Sequence, residues 1–171
     1  MTELSISRQF PTDQATFMKL MADPQMHAYV TQKLGTVRRR QVNEEHEGSI
    51  IRWTMAIDFM EELPSWTRSL ISTKSLMWQQ HFEMDLEKGH FQFRVAHPFP
   101  SSWMEADGEG WVKPQGAAQI DWKMTVRLRS QLPLLGGRIE KLVATRTQEL
   151  MEKDMDLRLR YLSKQQARQV Y

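Results

Sequence analysis

Residues 138–165 contain neither proline nor glycine, and their apolar side chains recur with a helical period. At 100° per residue, Ile139, Val143, Leu150 and Leu157 fall within about 40° of one another, and Met151, Met155 and Leu162 widen that stripe to one side. At 1.5 Å per residue such a helix runs ~40 Å. An apolar stripe of that length needs a broad apolar partner, and the preceding hundred or so residues supply one.

From Thr36 to Ser130 the dominant rhythm is period two. Ile51, Trp53, Met55, Ile57 and Phe59 share one strand face, with Arg52, Thr54 and Asp58 on the other. Leu76, Trp78, Phe82 and Met84 alternate with Gln79, His81 and Glu83. After a Glu87-Lys88-Gly89 turn, Phe91, Phe93 and Val95 alternate with Gln92 and Arg94, and Pro98 and Pro100 end the strand. Ala118, Ile120, Trp122, Met124, Val126 and Leu128 stand opposite Gln119, Asp121, Lys123, Arg127 and Arg129. Residues 102–113 also alternate, Trp103, Glu105, Asp107 and Trp111 against Met104, Ala106, Gly108 and Gly110, and neither set declares itself the inner face. Asn43 to Gly48 reads as a hairpin connection, and residues 61–73, with Pro64, Trp66 and Leu70, as an excursion with a helical turn. One wet face and one covered face describe a half-buried antiparallel sheet.

Upstream, Leu4, Ile6, Arg8 and Phe10 mark a strand over 2–10, stopped by Pro11. Thr12 or Asp13 caps a short helix carrying Phe17, Leu20 and Met21. Asp23-Pro24 opens a second one through Met26, Tyr29 and Val30, ending near Gly35. The chain has 171 residues, a length that fits one domain over 1–171.

Composition narrows the chemistry. The absence of cysteine excludes disulfide scaffolds, thiolate zinc sites and thiol nucleophiles. Lys+Arg 23 against Asp+Glu 21 leaves a net charge of only +2. Arg38-Arg39-Arg40 is the best basic run, but Glu44, Glu45 and Glu47 follow it. Consecutive arginines on a strand point to alternate faces, so the run reads as an ordinary solvated strand and turn, and no nucleic-acid partner is expected. The N-terminal residues lack a basic head and a long apolar run, and no stretch reaches the ~20 apolar residues of a membrane span. The expected compartment is the cytoplasm.

The order of elements is one strand, two short helices, a run of antiparallel strands and a long C-terminal helix. It resembles the helix-grip fold of the START-like superfamily, which includes the birch-pollen-allergen-like proteins and polyketide aromatase/cyclases. The segment Leu132-Pro133-Leu134-Leu135-Gly136-Gly137-Arg138-Ile139-Glu140-Lys141-Leu142-Val143 is similar to the strand-to-helix junction of a bacterial branch of mostly uncharacterised START-like proteins. The resemblance implies an α+β fold in which a curved antiparallel sheet of about seven strands surrounds the long helix. It also implies a cavity between sheet and helix for a lipid, sterol, polyketide or other apolar molecule. At the junction, Pro133 ends the last strand, and the Gly136-Gly137 pair is expected to let the chain reverse without a Cβ clash.

Met 12 and Trp 6 are both in excess for this length. Placed on the strands, they suggest a pocket lining of Trp53, Met55, Ile57, Trp78, Phe82, Phe93, Val95, Trp122 and Met124, roofed by Val143 and Leu150. Methionine suits an interior that adapts to variable shapes. Polar residues on these apolar faces are the candidate ligand contacts: Gln80 between Trp78 and Phe82, His97 at a strand end, and Asp154 with Arg158 one turn away and Thr147 beside them. The bland alternative makes Asp154 and Arg158 a partly exposed ion pair.

No metal is expected, because His27, His46, His81, His90 and His97 are scattered without ligand spacing. Gly-x-Ser-x-Gly and phosphate-loop patterns are missing, so neither a cofactor nor a catalytic residue is assigned. The favoured function is non-catalytic binding or carriage of a small hydrophobic ligand, with transient membrane contact for a lipid cargo despite the lack of a basic amphipathic anchor. The alternatives are an aromatase/cyclase- or hydratase-like enzyme using His97 and Asp154, and a protein-interaction module with a filled core. Nothing in the sequence indicates an oligomeric state.

Overall fold

The computed structural model describes residues 1–59, 76–96 and 104–169. The expected excursion at 61–73 lies outside these residues, as do His97, Pro98, Pro100 and Trp103. Strand β1 (Thr2–Phe10) is followed by helices α1 (Gln14–Ala22) and α2 (Pro24–Leu34). Six strands come next: β2 (Val37–Glu47), β3 (Ile50–Phe59), β4 (Leu76–Asp85), β5 (His90–Ala96), β6 (Glu105–Pro114) and β7 (Ile120–Arg129). Helix α3 (Gly136–Gln169) closes the chain.

The strands form one antiparallel sheet in the order β1-β7-β6-β5-β4-β3-β2. Chain neighbours pair as hairpins, except that β1 returns to pair with β7, Ile6 opposite Met124. The two edges are therefore β1 and β2, and α1 and α2 carry the chain from one edge to the other. The curved sheet wraps α3, which packs on β1, β7 and α2. This is the α+β helix-grip architecture expected from the order of elements.

Local chemistry explains the short helices. Asp13, not Thr12, is the N-cap of α1, and its carboxylate accepts from the Thr16 amide at 2.9 Å. Asp23 ends α1 and caps α2, accepting from the Gln25 amide at 2.8 Å, with Pro24 in the first turn. Gly35 stops α2 in the left-handed region, φ 69°.

Two expected connections differ. Residues 43–47 are the outer end of β2, and only Gly48 and Ser49 form the turn into β3. Both faces of that strand end are exposed, so its composition mimics a loop. At the β7–α3 junction the left-handed residue is Leu134, φ 64°, and the Gly136-Gly137 pair already belongs to α3. Gly136 serves close approach instead: a Cβ there would lie 3.2 Å from the Ser130 carbonyl oxygen. Glu140, buried in the next turn, accepts from the Ser130 amide at 2.7 Å and from the Thr2 hydroxyl at 2.9 Å, tying α3 to β7 and β1. The Ser130 amide bond, backed by the Thr2 hydroxyl, holds the Glu140 carboxyl below its ordinary range despite burial.

On β6 the inner face is Ala106, Gly108, Gly110 and Val112. Gly110 stands opposite Phe91 and Gly108 opposite Phe93. A Cβ would meet the Phe91 ring at 2.2 Å or the Phe93 ring at 2.4 Å. The glycines leave room for two phenyl rings to lie across the neighbouring strand.

Candidate functional site

The inner face of the sheet, α2 and α3 line a partly open cavity of about 120 Å³. Strand β3 contributes Trp53, Met55 and Ile57, β4 contributes Trp78, Gln80 and Phe82, and β5 contributes Phe93 and Val95. Trp122 and Met124 come from β7, Leu150 and Asp154 from α3. The period-two alternation that puts these strand residues on one face brings them to one space. Val143 packs against the core without lining the cavity, and His97 is outside the described residues.

The walls are aromatic planes in ordered contact. Trp53 stacks on Phe82 at 4.8 Å with an interplanar angle of 8°, and Phe91 stacks on Trp122 at 6.0 Å and 9°. Phe82 tilts against Phe93 at 5.6 Å. Such offset contacts stabilise the lining beyond the area they bury.

The polar part of the wall is a buried ionic cluster. Asp154 is 1% exposed and Arg158 5%, and the Arg39 side chain is 10% exposed. Arg39 Nη1 donates to one Asp154 oxygen and Arg158 Nε to the other. Arg158 Nη1 lies 3.3 Å from Met21 Sδ and 3.0 Å from Met26 Sδ, soft acceptors of little charge. Burial alone would raise the Asp154 pKa; the charges and hydrogen bonds of Arg158 and Arg39 together outweigh it and hold the carboxyl well below the usual range.

Two readings change here. The alternative that made Asp154 and Arg158 a partly exposed ion pair does not hold: both belong to the interior, and the most buried positions of the α3 stripe include these charges. Nor is the arginine run uniformly solvated. Arg38 and Arg40 are exposed, whereas Arg39, opposite Ile57 on β3, faces inward beside Val37. A bulge between Gln41 and Asn43 shifts the register of β2 beyond that point.

His27 on α2 lines the same cavity and was not among the expected site residues. Burial first, and then the Arg158 charge, lower its pKa from 6.5 to about 4, so the ring is neutral at pH 7. Its Nδ1 has no hydrogen-bond partner among the described residues, nor have Arg39 Nε, Trp53 Nε1 and Trp122 Nε1. Met21, Phe91, Ala106, Val126, Leu128, Thr147, Met151 and Met155 also line the cavity. His27 and Arg39 were missed because each stands near other polar residues, His27 two positions from Gln25 on α2 and Arg39 between Arg38 and Arg40 on β2, and only tertiary pairing turns it inward.

The fold recurs in solved structures. The protein TTHA0849 from Thermus thermophilus is 20% identical, with 95% of this chain and 99% of that one covered, at a TM-score of 0.66. The Zhui aromatase/cyclase from a Streptomyces species is 8% identical over 95% and 94% of the two chains, at 0.70. Norcoclaurine synthase from Thalictrum flavum, solved with dopamine and hydroxybenzaldehyde, is 11% identical over 95% and 87%, at 0.66. At these identities the likeness is one of fold alone, the helix-grip arrangement of a curved sheet around a long C-terminal helix. No curated protein matches the chain in sequence. The family model described as Protein of unknown function (DUF2505) matches residues 5–162, nearly the whole chain, and the protein belongs to that family.

Proposed function

We propose that the protein binds and carries a small apolar molecule in the cavity between the sheet and α3. The observation that carries this reading is a partly open cavity walled by Trp53, Trp78 and Trp122 that also carries a small set of polar groups. Mostly apolar walls with a few convergent polar atoms are the usual make-up of a small-molecule site. The volume selects among the cargoes that the fold suggests. About 120 Å³ is below the ~300–1,000 Å³ of pockets for drug-sized ligands and near the ~150 Å³ that accepts benzene. A single-ring molecule fits as the walls stand, while a sterol or polyketide requires the methionines and α3 to move. The norcoclaurine synthase structure, which holds single-ring compounds in the same fold, supports the smaller class.

Native mass spectrometry of gently purified protein, followed by displacement of an environment-sensitive dye, tests the proposal. A bound small molecule, or displacement by single-ring aromatics at one per chain, is the expected result. A ligand-free protein from which no aromatic or lipid displaces the dye contradicts it.

A second reading, an enzyme acting on such a molecule, is favoured by one feature: a neutral imidazole on the cavity wall whose Nδ1 has no partner among the described residues. His27 would take the proton-transfer role, because Asp154 is clamped by two guanidinium groups and cannot readily accept a proton. Recovery of the bound molecule chemically unchanged after prolonged incubation speaks for the carrier. Conversion that His27→Ala abolishes speaks for the enzyme.

A further inference from the structure

The buried cluster contains two guanidinium groups and one carboxylate, and His27 beside it is neutral. That leaves one positive charge in the interior without a counter-charge among the described residues. Glu44, whose field also reaches His27, is engaged with Gln41 and His46. A buried charge without a partner is expensive, and the expense falls when an anion arrives. The unpartnered hydrogen-bonding atoms of the wall agree in kind. Arg39 Nε, Trp53 Nε1 and Trp122 Nε1 can only donate, and His27 Nδ1 can act either way according to its tautomer. Gln80 and Thr147, the other polar groups of the lining, can serve in either role. A ligand that satisfies this wall brings acceptors and a negative charge.

From this we infer that the cavity takes a small aromatic carboxylate, its ring between the tryptophan and methionine walls and its carboxylate on the free edge of Arg39. This deepens the carrier reading and rests on it. The stacked faces of Trp53–Phe82 and Phe91–Trp122 suit a planar body. The volume of about 120 Å³ limits that body to about one ring. Arg39 is the arginine with capacity to spare: one Nη is committed to Asp154, while its buried Nε has no partner among the described residues. Arg158 is committed through Nε to Asp154 and through Nη1 to the two thioethers.

The test is calorimetric titration of the full chain at pH 7 with benzoate and with benzamide, its neutral isostere. Wild-type protein is expected to bind benzoate at least about tenfold more tightly than benzamide. Arg39→Met removes the surplus charge and leaves the Asp154–Arg158 pair neutral. It is expected to bring the two affinities within about twofold while benzamide binding survives. Equal or weaker binding of benzoate by the wild type overturns the anion assignment and leaves the carrier reading standing. Failure of both compounds to bind overturns both. A benzoate preference that persists in folded Arg39→Met overturns the role given to Arg39. Should that variant not fold, the wild-type comparison decides for the anion, and Arg39→Lys, which keeps the charge but has no Nε fork, is expected to lose most of the preference.

Discussion

Asp154 bears the energetic weight of the site. Its carboxylate is the counter-charge for two buried guanidinium groups, and each arginine occupies one of its oxygens. Replacing it with asparagine leaves two positive charges uncompensated, so Asp154→Asn is expected to cost about 3–5 kcal/mol in urea unfolding. Arg39→Met has the opposite logic. It removes an excess charge and keeps an apolar stem against Ile57, so its stability should change by less than about 1 kcal/mol. Similar losses for the two variants would show that the cluster is not charge-unbalanced. His27 gives the site a pH signature, facing Arg158, Asp154 and Arg39. The unfolded imidazole takes up a proton as pH falls through about 6.5, whereas the folded one resists until about 4. Its contribution is therefore complete above pH 6.5 and is lost progressively towards pH 4, about 3 kcal/mol in all. In His27→Gln, chemical unfolding across that window should show a visibly flatter pH dependence. Part of this was legible in advance. Strand alternation requires Arg39 to point away from Arg38 and Arg40, but which parity faces inward depends on pairing with β3, which the local sequence does not state.

Among the elements, β6 and the β7–α3 junction carry the sharpest constraints. Alternation along β6 was readable, but its inner face was not, because the inward residues Gly108 and Gly110 have no hydrophobic side chain to announce them. The Phe91 and Phe93 rings of β5 supply the apolar surface of that part of the wall. Gly108→Ala and Gly110→Ala each place a methyl group within 2.2–2.5 Å of a ring atom and are expected to destabilise by about 1–3 kcal/mol. Thermal unfolding of either variant at wild-type temperature would refute that packing. At the junction, Leu134 is fully exposed and left-handed. Asparagine tolerates that conformation better, so Leu134→Asn should stabilise by up to about 1 kcal/mol. The strands, the two short helices and α3 were legible because their periods persist for several residues. The misread hairpin at 43–47 was not, since a strand exposed on both faces has no period to display.

For the molecule as a whole, the composition and the fold give one account. Six tryptophans and twelve methionines exceed what a chain of 171 residues ordinarily carries. Folding gathers several of them around one cavity, between a sheet whose edges are joined by α1 and α2 and the cover supplied by α3. The space that the described lining residues leave is about 120 Å³, near that of one ring. Methionine at several points of the wall allows that space to adjust. The most direct measurement is NMR of protein labelled at the methionine methyls and titrated with benzoate. Shifts and ligand contacts are predicted at the lining residues Met21, Met55, Met124, Met151 and Met155, with none at Met77, which is 52% exposed. Shifts confined to Met77 and other surface positions, or an unchanged spectrum at saturating benzoate, would contradict the central claim.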